Sequence, residues 1–335
     1  MHFRETKNVL MRWMAPVAAL ALVIGAAPQV ALAQTGPHNL VLDFDMLAPL
    51  DEDAEGHYEG WAIVMGMPIS TGKFNVNEMG EPVELGGGAV IAEFDAGTDI
   101  TDATTIVISL EPPGDDDDVP AAIKPMVGDV VDAEAALYAN IPDRQMLESF
   151  TTGSYILATP SDNPEVPDND DMGIWYLMIE DGEPVPSLLQ LPDIGPNWTY
   201  EGWVVDASDP GNPMPYSTGT FAMAAGVDSD EAGCIGGGPP FPGQDFVEAQ
   251  CEPYLDLDTG DYLAVISIEP VPDNRAAPFQ FKPLAGAIPT DALGQDNEIA
   301  NQAAETFPTG VALLYSEPVP ANEVSWGEIK SSFNR

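Results

Sequence analysis

The tetrapeptide Tyr-Glu-Gly-Trp occurs at residues 58–61 and again at residues 200–203. Each copy is followed by Pro-x-Ser-Thr-Gly-x-Phe, at residues 68–74 and 215–221, and later by an apolar segment that ends in Glu-Pro. The matches follow the same order in both halves of the chain, which is typical of an internal duplication. We therefore expect one fold to be built twice. The residues that define the motif are Tyr58, Trp61, Gly72 and Phe74 in the first copy and Tyr200, Trp203, Gly219 and Phe221 in the second.

The duplication also predicts the domain organisation. The first copy runs from residue 36 to 165 and the second from 172 to 320, and the length of 335 residues agrees with about two domains. Residues 160–171, where the copies meet, are rich in Pro, Asp and Asn, as in a linker or a long loop. Residues 321–335 form a C-terminal tail.

Both copies consist mostly of short extended segments between Gly, Pro and Asp clusters, which predict strands. Two segments that end in Phe, residues 143–150 and 296–307, predict short helices. Frequent turns without regularly alternating long helices favour a mainly β fold of two tandem Ig-like β-sandwich modules over a parallel α/β sheet. The predicted strands are 40–44, 58–65, 89–94, 104–110, 155–159, 261–266 and 311–315.

The motif residues have a structural interpretation and an alternative one. Trp61 and Trp203 are large side chains suited to a sandwich core, and Gly72 and Gly219 suit tight turns. Each Glu-Pro pair ends its strand because Pro cannot continue a ladder. The alternative is that the aromatic side chains bind a ligand.

The module of aromatic-x-x-Trp, Pro-x-Ser-Thr-Gly-x-Phe and a strand ending in Glu-Pro resembles the extracytoplasmic C-terminal domain of anti-sigma-K factors and of related bacterial secreted proteins. The resemblance covers both repeats and hence most of the chain. It implies a β-rich, non-enzymatic, extracytoplasmic module. Those anti-sigma factors hold a sigma factor through a cytoplasmic helical domain and a membrane helix, and the sequence predicts neither part, so we do not expect sigma-factor sequestration.

The first 33 residues have the pattern of a secretory signal peptide. Arg4, Lys7 and Arg12 precede an apolar stretch at 14–27, and Ala-Leu-Ala at 31–33 predicts cleavage between Ala33 and Gln34. The alternative is a retained membrane anchor, but the stretch is shorter than the roughly 20 residues that span a bilayer as a helix. We expect export to the periplasm or the extracellular space, with no membrane span in the mature chain.

The composition is strongly acidic, with 10 Lys and Arg against 55 Asp and Glu and a formal net charge of −45. Nucleic-acid binding is excluded as a function class because neutralising phosphates requires Lys and Arg. Docking on anionic lipid is disfavoured for the same reason. A hydrophobic fraction of 44% is ample for packed cores. The identity of a protein or envelope partner does not follow from charge alone.

The two cysteines, Cys234 and Cys251, lie in or beside the region in which the second copy is longer than the first. An even pair in an exported chain predicts a structural disulfide. A closed loop of about 15 residues contributes roughly 3 kcal/mol in the chain-entropy model. Two free thiols or a redox pair are the alternatives.

Calcium is the one cofactor for which candidate ligands occur, since hard cations prefer carboxylate oxygens. Asp115, Asp116, Asp117 and Asp118 form one acidic turn, and further acidic turns surround Asp170 and Asp258. The alternative for each is a solvated surface turn. The segment 66–73 resembles a phosphate loop only superficially, and we interpret it as a hairpin turn.

No reactive constellation is evident in the sequence. The three His residues do not form a metal-binding pair, and there is no G-x-S-x-G nucleophile elbow. We predict a non-enzymatic protein that acts in binding or in envelope structure. The alternatives are an accessory sensor or regulator that binds a membrane-anchored partner, such as an anti-sigma system, and, less favoured, an enzyme.

Overall fold

A computed structural model describes residues 38–161, 169–233, 237–247, 255–273 and 275–315. The chain is mainly β, its large sheets are antiparallel, and it forms two compact sheet bodies. The predicted mainly β class with two β-sandwich modules is therefore confirmed. We call the bodies unit A, with described residues 38–140 and 308–315, and unit B, which spans residues 141–307.

Unit A is organised around one sheet of nine strands among the described residues. The strands are β1 Asn39–Asp45, β2 His57–Val64, β3 Met67–Val76, β4 Pro82–Val83, β5 Phe94–Asp95, β6 Ala103–Glu111, β7 Met126–Val131, β8 Glu134–Ala139 and β19 Thr309–Tyr315. Their order in the sheet is β4-β3-β2-β6-β7-β8-β19-β1-β5. The ring of Phe74 on β3 lies 5.7 Å from Phe44 on β1 and 5.4 Å from Phe94 on β5. The sheet therefore folds over so that its two ends share an aromatic core.

Unit B contains a sheet of eight strands and a separate hairpin among its described residues. Its core includes Phe281, whose ring lies 5.4 Å from Trp198 and 5.5 Å from Phe307. The elements are α1 Arg144–Phe150, β9 Gly153–Leu157, β10 Ile174–Trp175, β11 Leu177–Glu180, β12 Glu183–Pro186, β13 Trp198–Asp206, β14 Met214–Phe221, β15 Gly243–Gln244, β16 Tyr262–Pro270, β17 Leu284–Ala287, β18 Asn297–Asn301 and α2 Ala303–Thr306. The sheet order is β14-β13-β16-β17-β18-β9-β10-β15, and β11 pairs with β12.

The two copies exchange their last strands. Strand β9 belongs to the first copy by sequence, yet it pairs with β18 and β10 in unit B. Strand β19 belongs to the second copy and lies between β8 and β1 in unit A. The compact units therefore do not coincide with the repeat boundaries predicted at 36–165 and 172–320, because each copy completes the sheet of the other. The chain passes between units at residues 140–141 and 307–308.

Several predicted elements differ in extent. The helix predicted over 296–307 is limited to α2, because the preceding residues alternate as a strand, with Asn297 and Ile299 buried and Glu298 exposed. The predicted strand 89–94 is reduced to β5 and one isolated bridge between Val83 and Val90. The other predicted strands and the helix at 143–150 are present.

Some predictions fall outside the described residues. These are the signal peptide with its cleavage site at Ala33 and Gln34, the disulfide between Cys234 and Cys251, and the tail at 321–335. Among the described residues, no helix combines the length and apolar character needed to cross a bilayer.

Candidate functional site

The repeated motif builds a buried polar network in unit A. Glu59 on β2 accepts a hydrogen bond from the hydroxyl of Ser70 on the neighbouring strand β3. On β6, the hydroxyl of Ser109 donates a hydrogen bond to Glu111 and accepts one from the indole Nε1 of Trp61 at 2.7 Å. These strands lie side by side, so their ladders fix the side chains of one sheet face next to one another. The acids at the centre of the motif are therefore part of the interior.

Unit B repeats this network residue for residue. Ser217 donates to Glu201, and Ser267 donates to Glu269. The indole Nε1 of Trp203 donates to Ser267 Oγ at 2.8 Å, and the backbone N–H of Phe279 donates to Glu269 Oε1 at 2.8 Å. Trp203 is 2% exposed and Trp61 is 1% exposed. Both tryptophans therefore lie in the cores, and their polar atoms are occupied by internal partners.

Gly72 and Gly219 lie inside strands, and the prediction that they form tight turns is wrong. Each follows a threonine at a point where the register between paired strands shifts, as at a β-bulge. Their φ angles are 129° and 94°, a region that glycine adopts without steric cost. A hairpin turn is predicted over 66–73; the structure has the turn at Met65 and Gly66, and residues 67–73 belong to strand β3.

A lysine supplies the counter-charge in unit A. Lys73 lies opposite Glu59 in the β2–β3 ladder. Its Nζ lies 4.0 Å from Glu59 Oε2 and 3.6 Å from Asp115 Oδ2, and it donates to the backbone carbonyl of Asp115. Burial raises the pKa of Glu59, while the Ser70 hydroxyl and the Lys73 charge oppose that shift.

Of the four candidate calcium ligands in this turn, only Asp115 therefore faces the buried network. Asp116, Asp117 and Asp118 are exposed. Asp117 Oδ1 accepts the backbone N–H of Val119 at 2.8 Å, as in a local turn. The structure does not bring the four carboxylates together.

In unit B the acids converge without this lysine. Thr220 is opposite Glu201, in the place that Lys73 has opposite Glu59. One carboxylate oxygen from each of Glu201, Glu269 and Asp273 lies within 4.8 Å of the others. Burial raises the pKa of Glu201 to about 8 and that of Glu269 to about 7, and the neighbouring acids add to both shifts. This group could hold a cation or retain protons at neutral pH.

A second acidic group joins two of the acidic turns noted in the sequence. Oxygens of Asp171, Asp256 and Asp258 lie within 4.8 Å of one another. Desolvation and the nearby carboxylates of Asp256 and Asp171 raise the pKa of Asp258. Asp170 is not in this group, and its Oδ1 accepts the backbone N–H of Thr159 at 3.2 Å.

Two buried aspartates in unit B were not singled out by the sequence. Asp228 Oδ2 accepts the backbone N–H of Gly243 at 2.7 Å, and burial raises the pKa of Asp228. Asp245 is 0% exposed and accepts the indole Nε1 of Trp175 at 3.0 Å. The partners are 15 residues apart in the first interaction and 70 residues apart in the second, so local sequence carries no signal for them. The buried glutamates do have a signal, because Glu recurs at matching positions of both copies.

Comparisons of the chain with models of protein families, with curated proteins and with solved structures found no match.

Proposed function

We propose that the protein is a secreted or periplasmic, non-enzymatic β-sandwich protein that acts by binding or as part of the cell envelope. The observation that carries the proposal is the use of the repeated polar residues. In both units the Trp, Ser and Glu side chains of the motif bond to one another inside the sheet. The repeated residues therefore form an internal scaffold, and the proposal places recognition on the surfaces around it.

The geometry of the serines supports a non-enzymatic role. Ser109 and Ser267 each interact with a carboxylate, an arrangement that can superficially resemble part of a hydrolase site. Both serines are 0% exposed. A nucleophile must come within bonding distance of its substrate, and these hydroxyls are covered by the sheet. Their hydrogen bonds serve the fold.

Charge limits the class of partner without identifying one. The formal net charge of −45 repels polyanions and favours neutral or cationic surfaces, such as basic proteins of the envelope. The resemblance of both modules to anti-sigma-K outer domains points to the same compartment. Binding to a membrane-anchored partner, as in an anti-sigma system, is the more specific form of this proposal.

The test uses the full chain expressed in a bacterial host with a C-terminal tag. We expect the soluble periplasmic or culture fraction to hold a chain that begins at Gln34, by N-terminal sequencing. Sedimentation and cross-linking in intact cells then distinguish two roles. A self-associated species supports the envelope role, and a cross-link to one membrane protein supports the regulatory role. Retention of the chain in the cytoplasm, or turnover of a substrate that is lost on Glu59→Gln, would contradict the proposal.

A further inference from the structure

The two copies of the module differ at the position that faces their buried acids. In unit A, Lys73 lies opposite Glu59 and brings an ammonium group to the acids. In unit B, the uncharged Thr220 lies opposite Glu201. The acids themselves remain, since Glu201, Glu269 and Asp273 match Glu59, Glu111 and Asp115 in the alignment of the two copies.

Among the described residues of unit B, two carboxylate oxygens are buried and have no hydrogen-bond partner. Glu269 is 0% exposed and Glu201 is 4% exposed. Oε1 of Glu269 accepts from Ser267 and from the backbone of Phe279, and Oε1 of Glu201 accepts from Ser217. Oε2 of each carboxylate receives no hydrogen bond from the residues that the structure describes. A buried acceptor without a partner keeps its full desolvation cost, and a proton, a bound water molecule or a cation would remove that cost.

The spacing of the three acids suits a divalent cation. Their oxygens lie within 4.8 Å of one another, and Ca²⁺ binds oxygen ligands at about 2.3–2.6 Å, so that ligands on opposite sides are about 5 Å apart. Ca²⁺ tolerates irregular geometry and completes its shell with water, whereas Mg²⁺ demands near-ideal octahedral geometry. A hard, oxygen-binding dication therefore matches the donor set.

We infer that Glu201, Glu269 and Asp273 bind a divalent cation, with Ca²⁺ as the expected ion, where unit A uses the ammonium of Lys73. The cation neutralises the converging acids and links strands β13 and β16 to the turn that follows β16. This inference rests on the geometry within unit B and does not depend on the proposed role of the protein in binding or envelope structure.

One basic side chain, Lys282, and one backbone donor, Arg275, act on the acids of the site. Arg275 lies over the ring of Phe279 at 5.3 Å, and its backbone N–H donates to Asp273 Oδ1 at 2.9 Å. Burial lowers the pKa of Lys282 to about 8, while the charge of Glu269 acts in the opposite direction. The charge of Lys282 reduces the net negative charge that a metal ion meets. We therefore expect affinity in the range of extracellular calcium modules, with Kd about 0.1–1 mM.

The experiment is calorimetric titration of the full chain with CaCl₂ at constant ionic strength, together with displacement of Tb³⁺ luminescence by Ca²⁺. Glu201→Gln and Asp273→Asn should each lower the number of bound Ca²⁺ ions by one or weaken that site at least tenfold. The matched change in unit A, Glu59→Gln, should leave Ca²⁺ binding unchanged. Asp258→Asn is a control for the acidic group of Asp171, Asp256 and Asp258. This substitution should leave Ca²⁺ binding at Glu201, Glu269 and Asp273 unchanged.

Reciprocal exchange of the facing residue gives a second test. Thr220→Lys should place an ammonium among the acids of unit B and remove one Ca²⁺ site. Lys73→Thr should remove the ammonium from unit A and add one. Circular dichroism confirms that each variant is folded, and the two exchanges remain informative if Glu201→Gln does not fold.

The inference is overturned if the wild-type chain binds no Ca²⁺ at 10 mM. It is also overturned if folded Asp273→Asn and Thr220→Lys bind as many ions, with the same affinity, as the wild type. In that outcome the acids of unit B hold protons instead of a metal ion.

Discussion

Leu157 and Leu314 occupy matching positions in β9 and β19, the two exchanged strands. Leu314 is 4% exposed and lies opposite Leu40 of β1 in unit A. Leu157 is 3% exposed and lies opposite Ile174 of β10 in unit B. Each leucine thus packs in the unit formed mainly by the other copy. Replacing each by Ala gives a matched pair of perturbations that reports on the exchange.

Both substitutions remove side-chain volume at a buried position. Leu→Ala at such positions costs about 2–5 kcal/mol, which is a large share of the roughly 5–15 kcal/mol that stabilises a domain. Since about 1.4 kcal/mol is a factor of ten in an equilibrium constant, amides that exchange through opening of the affected unit should exchange at least about 25-fold faster. The two variants should lose similar stability but in different places.

The assay is hydrogen exchange followed by mass spectrometry of peptides. Leu314→Ala should accelerate exchange in β1 and β8 of unit A and leave β17 and β18 nearly unchanged. Leu157→Ala should do the reverse, with acceleration in β10 and β18. If Leu314→Ala instead accelerates β17 and β18 as much as β1 and β8, the assignment of β19 to unit A alone is refuted.

Three further predictions concern charge and backbone geometry. Without metal ions, the free energy of unfolding should fall as pH rises from about 4.5 to 8. Burial raises the pKa of Glu201 and Glu269, so the native state holds more protons than the unfolded chain over that range, and the stability present at lower pH is lost as pH rises. Urea denaturation with chelator at pH 5 and at pH 8.5 measures this change, and Glu201→Gln should reduce the dependence of the free energy of unfolding on pH. The melting temperature should rise from low to moderate NaCl because salt screens the repulsion of a chain with net charge −45; a fall over that range would refute the argument. Gly219→Ala should destabilise the fold more than Gly66→Ala does. Both glycines have positive φ, which costs a non-glycine residue about 1–2 kcal/mol. Only at Gly219 would an added Cβ also meet a neighbouring side chain, since it would lie 2.3 Å from Asp230 Oδ1. Equal shifts of the denaturation midpoint would contradict that reason.

The duplicated motif predicted much of the fold because it repeats both sequence and environment. Tyr58 and Tyr200 are each buried in equivalent strands, and Phe74 and Phe221 face them across the ladder. Strand propensity and turn residues are local properties, so they could be read from the chain. The mainly β class followed from those signals without knowledge of tertiary contacts.

The strand exchange could not be predicted from the same signals. β9 and β19 match in sequence, so the leucine of each strand, Leu157 or Leu314, suits the interior of either sheet equally well. The choice depends on long-range contacts and on the path of the connecting segments. A repeat therefore identifies equivalent strands but leaves open which sheet each one joins.

The buried acids were only partly accessible to sequence reasoning. The run of four Asp at 115–118 predicts a calcium site by composition, yet three of its members are exposed to solvent. Glu201 and Glu269 lie among apolar residues of predicted strands. A glutamate in such a strand is normally expected to lie at the strand end or on the surface. Their convergence depends on the pairing of β13 with β16, which composition and local spacing do not specify.

The position of β19 also bears on how the chain acquires its structure. An interior strand of unit A begins at Thr309, whereas its neighbour β8 ends at Ala139. Most of unit A is therefore synthesised, and crosses a secretion channel if exported, before the strand that closes it is available. Unit A therefore cannot complete its sheet as it is synthesised, whereas unit B is continuous in the chain from residue 141 to 307. Closing a long loop late slows folding. Until β19 is available, the edges of β8 and β1 that pair with it remain open in the incomplete sheet of unit A. The high negative charge of the chain opposes association of such intermediates with one another.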